Sequence, residues 1–128
     1  SYSSSISACE KIGQWQQALT FFEAMLDAKV RPNVISYNGG MSACEKGGQW
    51  QQALALFQTM LEAKVSPDVI SYSAGISACE KGGEFQQALL LFEEMPAVRI
   101  SPDVISYSAV ISACEMGGQW QHALMTAL

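Results

Sequence analysis

Residues 34–68 decide the fold: VISYNGGMSACEKGGQWQQALALFQTMLEAKVSPD, a stretch that returns with few changes over residues 69–103. A fixed period of 20 to 50 residues indicates a repeat array, in which each copy is one supersecondary unit stacked on its neighbours. Shared positions have to build such a stack, so function is sought where the copies differ. The period of 35 residues extends in both directions, at Tyr2, Tyr37, Tyr72 and Tyr107, and at Cys9, Cys44, Cys79 and Cys114.

The first half of each unit predicts a helix over about residues 35 to 46. Tyr37, Met41 and Cys44 fall at i, i+4 and i+7 and make one apolar face. The residue that follows proline, Asp68 in this unit, stands where a helix N-cap is expected. Gly47-Gly48 should end the helix, because glycine adopts the left-handed conformation without strain. Glycines within the first helices either permit close packing or soften the helix, and the sequence leaves both open.

The second half of each unit predicts an amphipathic helix over about residues 49 to 63. A helical hairpin of this kind cannot bury its apolar face alone, so we expect neighbouring units to bury it by stacking. In the third unit, Pro96 should end the second helix early. The apolar stripe consists of Trp50, Ala53, Leu54, Phe57, Met60 and Leu61.

The repeat predicts one continuous all-α solenoid of 35-residue helix-turn-helix units. Because the first and last copies are partial, we expect a piece of a longer array that lacks any targeting segment of its parent. The units are a partial repeat 1 (1–33), repeat 2 (34–68), repeat 3 (69–103) and a partial repeat 4 (104–128).

Composition and spacing disfavour several functional classes. The net charge of −5 argues against indiscriminate polyanion binding. No apolar run approaches the roughly 20 residues of a membrane span, so no membrane association is expected. The four cysteines lack the paired spacing of a metal site and fit buried thiols in a reducing compartment. We expect no metal, no cofactor and no enzymatic activity, since the single histidine, His122, has no catalytic partner nearby in sequence.

A polar line runs along each first helix at i, i+4 and i+8. It is either a solvated face or a row of hydrogen-bonding groups that ends in cations able to meet successive phosphates. The glutamate of each Ala-Cys-Glu should lie about 100° away from the lysine that follows it. The line consists of Ser3, Ser7 and Lys11; Asn38, Ser42 and Lys46; Ser73, Ser77 and Lys81; and Ser108, Ser112 and Met116.

On these residues the sequence resembles the pentatricopeptide repeat family. The resemblance rests on Val34-Ile-Ser-Tyr-Asn38, on the Ala53-Leu-Ala-Leu-Phe57-x-x-Met60 run, on Pro67-Asp68 and on their counterparts one period later. It implies a right-handed superhelix that binds single-stranded RNA, one base per repeat. The tryptophan and tyrosine pattern of the 34-residue tetratricopeptide repeat is absent.

The resemblance also implies residue roles. Base-edge contacts would come from Ser3 with Asn33, Asn38 with Asp68, Ser73 with Asp103, and Ser108. Base packing would come from Ile35, Ile70 and Ile105, and phosphate contacts from Lys11, Lys46 and Lys81. The implied partner is 5′-A-U-G-purine-3′, parallel to the protein, and the fourth unit, with Met116, should hold the backbone less well.

Structural roles compete with these assignments. Asn33, Asp68 and Asp103 are also plausible N-caps, alone or in addition to base contacts. The tryptophans at 15, 50 and 120 and Phe85 are expected to pack in the core rather than to stack on bases.

The alternative function is a protein-interaction scaffold that uses the concave groove. Under the RNA hypothesis, the resemblance places the parent in a mitochondrion or plastid, in RNA processing, stability or translation. Protein partners would be reached through the rest of the parent chain.

Overall fold

The computed structural model describes residues 2–11 and 14–116, and every regular element within them is an α-helix. The predicted all-α repeat array is confirmed, and the predicted helix bounds of the second unit agree to within one residue. Odd-numbered helices are the first helices of their units, and even-numbered helices are the second. They are α1 Tyr2–Lys11, α2 Trp15–Asp27, α3 Val34–Lys46, α4 Trp50–Glu62, α5 Val69–Lys81, α6 Phe85–Ala97 and α7 Val104–Met116.

A reciprocal capping box starts three first helices. The Asn33 side chain accepts from the Ser36 N–H over 3.0 Å, and the Asn33 N–H donates to Ser36 Oγ over 2.8 Å. Two backbone N–H groups that the helix leaves without partners are thereby satisfied. The predicted N-caps are confirmed. The same two bonds join Asp68 to Ser71 and Asp103 to Ser106.

Paired glycines end the first helices of the second and third units for two different reasons. Gly83 has φ +74°, a left-handed conformation that strains any other residue. Gly82 has an ordinary φ, but a Cβ there would overlap the ring of Trp50 from the preceding unit. The pair therefore both reverses the chain and admits a neighbouring aromatic side chain. The same arrangement holds for Gly47, Gly48 and Trp15.

The second helices end without glycine. Lys64 has φ +60°, and its N–H donates to Leu61 O while the Val65 N–H donates to Met60 O, both over 3.0 Å. This is a Schellman closure built on a residue that favours the left-handed region less than glycine does. Lys29 and Arg99 stand at the same place with φ +59° and +62°.

The predicted early end of the third unit's second helix was wrong. α6 continues to Ala97 and is 13 residues long, like α2 and α4. Pro96 lies in its last turn, where the missing N–H removes only one helical bond. The turn is still closed, because the Ile100 N–H donates to Met95 O over 2.9 Å and Met95 is fully buried.

Stacking follows one rule along the array. Each first helix packs on the first helix of the next unit, and each second helix packs on that same first helix. Edge-to-face rings mark the second of these contacts, in which a phenylalanine meets the next unit's tyrosine. Because first helices pack directly on one another, they form a continuous layer along the array. The ring pairs are Phe22–Tyr37, Phe57–Tyr72 and Phe92–Tyr107, with centroids 5.1, 5.2 and 5.3 Å apart.

The core confirms most of the predicted apolar faces. Tyr37, Met41 and Cys44 are buried as predicted. In the second helix, however, Leu56 is buried and Leu61 is exposed, contrary to the predicted stripe. A Cβ at Gly40 would lie 3.0 Å from Leu56 Cδ1, so this glycine permits close helix packing. Close packing is therefore the role of Gly40, which the sequence left open.

Burial also accounts for the cysteines that the structure describes. It raises the pKa of Cys44 to about 11 and, together with the charge of Glu84, raises that of Cys79 to about 12. Cys114 is likewise buried, and its pKa is raised. Such thiols remain protonated near neutral pH and act as small apolar side chains.

No helix in residues 2–11 and 14–116 has the length and apolarity needed to cross a membrane.

Candidate nucleic-acid interface

In the second unit, the fifth residue of the first helix is hydrogen-bonded to the last residue of the unit. Asn38 Nδ2 donates to Asp68 Oδ1 over 3.0 Å. Ser71 Oγ donates to Asn38 Oδ1 over 2.5 Å, and the Ser71 N–H donates to Asp68 Oδ1 over 3.0 Å. Both Asn38 and Ser71 are buried. The amide of Asn38 is therefore held in one orientation, with its nitrogen towards Asp68 and its oxygen towards Ser71.

The third unit makes the same connection with different chemistry. Ser73 Oγ donates to Asp103 Oδ1 over 2.9 Å. The same oxygen accepts from the Ser106 N–H and hydroxyl, over 2.9 and 2.8 Å. Since a hydroxyl has one proton, this bond uses the only donor of Ser73, whereas the Asn38 amide retains a second N–H.

These hydrogen bonds also set the charge state of both carboxyl groups. Burial on its own would raise the pKa of Asp68, but the bonds from Ser71 and Asn38 outweigh it and hold the pKa below its usual 3.8. The same balance lowers the pKa of Asp103, where Ser106 and Ser73 are the donors. Near neutral pH, the second and third units therefore each present a carboxylate that can only accept hydrogen bonds.

An isoleucine flanks each of these positions and is more than half exposed. The exposed fractions of Ile35, Ile70 and Ile105 are 55%, 53% and 57%. An open pocket of about 200 Å³ is lined by Ile70 and Ile105 together with Ser73 and Asp103. The structure thus places the predicted packing residues and the predicted base-edge residues of the third unit in one pocket.

The predicted phosphate contacts lie at the ends of the first helices. Lys46 is exposed and lines the same pocket. Lys81 Nζ lies 3.1 Å from Glu45 Oε1, and half of its side chain is exposed. One predicted phosphate ligand is therefore already paired with a carboxylate of the preceding unit.

The expectation that the glutamates would lie away from the polar line was wrong. Glu45 lines the pocket and reaches Lys81, and Glu80 Oε1 accepts from Ser112 Oγ over 2.7 Å. The 100° offset holds within one helix, but the next unit's first helix packs against the side to which the glutamate points. Glu45 and Glu80 therefore both meet the polar line of the following unit.

The remaining predicted residues vary in their placement. Asn33 is exposed and caps α3. Ser108 is exposed and lines a second open pocket, of about 320 Å³, together with Ile105. The side chains of Ser3, Lys11 and Met116 lie outside the described part of the structure.

The aromatic residues that open the second helices line neither of these two pockets. Trp15, Trp50 and Phe85 are half-buried against the core, which confirms their predicted packing role. Trp120 and His122 lie outside the described residues.

Sequence reasoning missed Ser71, Glu45 and Glu80 as members of this surface. Their signal was the 35-residue spacing itself, which repeats the serine at 36, 71 and 106 and the glutamate at 45, 80 and 115. Within residues 2–11 and 14–116, no group of three or more His, Cys, Asp or Glu side chains could hold a metal ion.

Models of one repeat family match the sequence along most of its length. The model of the PPR repeat family matches residues 32–81, that of the pentatricopeptide repeat domain residues 1–47, and that of the PPR repeat residues 70–100 and 105–126. The chain belongs to the pentatricopeptide repeat family. No curated protein matches the sequence.

Solved structures of pentatricopeptide repeat proteins are similar to the chain. PPR10 in complex with an 18-nucleotide psaJ RNA element is 27% identical, with a TM-score of 0.78 over 98% of this chain. PPR10 from maize, in a further structure, is 28% identical over 94% of this chain, with a TM-score of 0.79. The chain spans only 18% and 17% of those two chains.

A third similar structure shows the fold alone. The pentatricopeptide repeat domain of Arabidopsis thaliana protein-only RNase P 1, in complex with tRNA, is 15% identical, with a TM-score of 0.79. The match covers 97% of this chain and 67% of that one.

Proposed function

We propose that the chain binds single-stranded RNA in a sequence-specific way, with each unit contacting one base through the fifth residue of its first helix and the last residue of the unit. The observation that carries this proposal is the direct bond between those two residues in both complete units, Asn38 to Asp68 and Ser73 to Asp103. Similarity to PPR10, which has been crystallised with RNA, supports the choice of ligand.

The pocket of the third unit suits a flat ring with a polar edge. A base that enters between Ile70 and Ile105 would place its faces on apolar side chains and its edge on Ser73 and Asp103. In the second unit, Ile35 and Ile70 would flank a base in the same way, with Asn38 and Asp68 at its edge.

The two pairs differ in the base they favour. The free N–H of Asn38 and the acceptor Asp68 suit uracil, which offers both a carbonyl oxygen and an N–H on its pairing edge. Ser73 is shorter and leaves room for a larger base, so its pair with Asp103 suits guanine. With Ser3 and Asn33 favouring adenine and Ser108 favouring a purine, the proposed ligand is 5′-A-U-G-purine-3′.

Lysines at the ends of the first helices would contact the RNA backbone. Lys46 and Lys81 recur at the 35-residue period, as does Lys11, so successive lysines would meet successive phosphates. Phosphate contacts position the strand, while the polar pairs supply the base preference.

The proposal assigns no chemistry to the repeats themselves. We propose that this part of the parent binds RNA rather than cleaves it, and that the parent supports RNA processing, stability or translation in a mitochondrion or plastid.

Fluorescence anisotropy at low salt tests the proposal. The 128-residue chain would be titrated into labelled RNAs with an A-U-G-A core, into A-C-G-A and A-G-G-A variants, and into the matching DNA. We expect the tightest binding to A-U-G-A and a weakening or redirection of that preference by Asn38→Ser. Equal binding of every RNA would overturn base readout. A folded chain that binds none of them would favour the protein scaffold instead.

A further inference from the structure

Lys81, one of the lysines proposed to contact RNA phosphates, is paired with a carboxylate from the preceding unit. Lys81 Nζ and Glu45 Oε1 are 3.1 Å apart, and only 13% of the Glu45 side chain is exposed. Glu45 lines the same pocket as Ser73, Asp103 and Ile105. The carboxylate therefore lies within the candidate base pocket, next to the position that an RNA phosphate would take.

The next unit shows what this glutamate does when its lysine is absent. Where the third unit has Lys81, the fourth has Met116. Glu80, one period after Glu45, still points to the following first helix, where it accepts a hydrogen bond from Ser112 over 2.7 Å. The forward reach of the glutamate thus belongs to the repeat geometry, and the ion pair forms where a lysine is in range.

We propose that Glu45 is a positioning residue that competes with RNA phosphate for Lys81 and so sets how much of the binding energy comes from the backbone. The inference rests on the RNA-binding function proposed above. Half of the Lys81 side chain remains exposed, so a phosphate can approach the cation that Glu45 holds. While the pair persists, part of the attraction for any polyanion is cancelled, so binding depends more on the bases.

The test is the salt dependence of RNA binding by the Glu45→Gln chain. Each phosphate neutralised on a single strand adds about 0.7 to the slope of log K against log salt. With Lys81 released from Glu45, we expect Glu45→Gln to steepen that slope by up to about 0.7 and to tighten A-U-G-A binding about threefold at low salt. The preference for U at the second base should remain.

Glu62→Gln is the matched control. Glu62 is exposed at the end of α4, in the layer of second helices, and its removal changes the net charge equally. It should leave the slope at the wild-type value. A Glu45→Gln/Lys81→Gln double variant should lose the gain of the single variant, because the released cation is then absent. Far-UV circular dichroism would check that every variant keeps its helices.

Three outcomes would overturn the inference. If Glu45→Gln matches Glu62→Gln in slope and affinity while the wild type keeps its base preference, the competition does not exist. If Glu45→Gln weakens binding, the carboxylate assists rather than opposes the lysine. If the wild-type chain binds no RNA at any salt concentration, the proposed function fails, and this inference fails with it.

Discussion

The second and third units share one backbone arrangement but differ in the hydrogen bonds of their polar pairs. In residues 34–68, Asn38 is held from two sides, by Asp68 and by Ser71 of the following helix. In residues 69–103, Ser73 has a single described bond, to Asp103. The first arrangement fixes an amide and leaves one donor for a ligand, while the second uses the only hydroxyl proton within the pair. A single side-chain difference on a common scaffold thus changes the hydrogen-bonding groups that each of the two units presents.

Exchanging the two residues should produce the largest effect. We expect an Asn38→Ser/Ser73→Asn chain to prefer G at the second base and U at the third, reversing the wild-type order. Hydrogen-bond readout of a base discriminates by roughly tenfold per position. Anisotropy titrations with A-U-G-A and A-G-U-A RNAs would measure the change. Retention of the wild-type preference would show that the pairs do not select the base.

Removing the serine that holds Asn38 should expose the structural difference between the units. Ser71→Ala removes a capping-box bond and also leaves the buried oxygen of Asn38 without its donor. We expect a loss of about 2 kcal/mol in the free energy of unfolding, because a buried acceptor without a partner costs more than a lost bond at the surface.

Ser106→Ala is the control for this change, because it removes the equivalent bonds of the capping hydroxyl to Asp103 without affecting an asparagine. Its expected cost is about 1 kcal/mol. Urea titrations followed by circular dichroism would compare the two variants, and equal losses would show that the bond to Asn38 adds nothing.

Truncating an isoleucine should weaken RNA binding at each base position that the isoleucine contacts. Ile70 lies between the two proposed base positions, so Ile70→Ala should weaken binding of both the second and the third base. Ile105→Ala should spare the second. The expected loss is a few-fold in affinity, since about 1 kcal/mol of apolar contact is removed, and the order of base preference should not change. A change in base order by either variant would contradict a pure packing role.

Lowering the pH should produce the smallest change in the free energy of unfolding, and the change should have the same sign for both units. A carboxyl whose pKa is lowered by folding adds stability above its unfolded pKa of about 3.8, and that stability is lost as the pH falls through the folded value. We expect wild-type unfolding free energy to decline below about pH 4. Asp68→Asn and Asp103→Asn should each flatten that decline. A variant as acid-sensitive as the wild type would show that its carboxyl is not responsible.

The resemblance to the pentatricopeptide repeat family implied the polar pairs. The 35-residue period predicted the helices and their caps, because each depends on local spacing or on repetition. It could not predict features that depend on how neighbouring helices pack. Glu45 was expected away from the polar line, yet the next first helix lies on the side to which it points. Leu56 is buried and Leu61 is exposed, contrary to the predicted stripe, and Leu56 lies against Gly40 in the first helix of its own unit.

The sequence pattern also did not predict how two of the helices end. Lys64 adopts a left-handed conformation that is more typical of glycine, because the Schellman bonds to Leu61 and Met60 outweigh its strain. Pro96 does not end its helix, because packing of Met95 and the closing bond of Ile100 hold the last turn. In both cases the hydrogen bonds that close the helix override the preference of a single residue, and burial of Met95 adds to them at Pro96.

The most direct test of the central claim compares two RNAs of identical composition, A-U-G-A and A-G-U-A, in competition for the wild-type chain. Length, charge and base content are equal, so only the order of the middle bases can separate them. If Asn38 with Asp68 reads U and Ser73 with Asp103 reads G, A-U-G-A should bind at least about tenfold more tightly. Equal affinities, or a preference for A-G-U-A, would contradict base readout by these pairs.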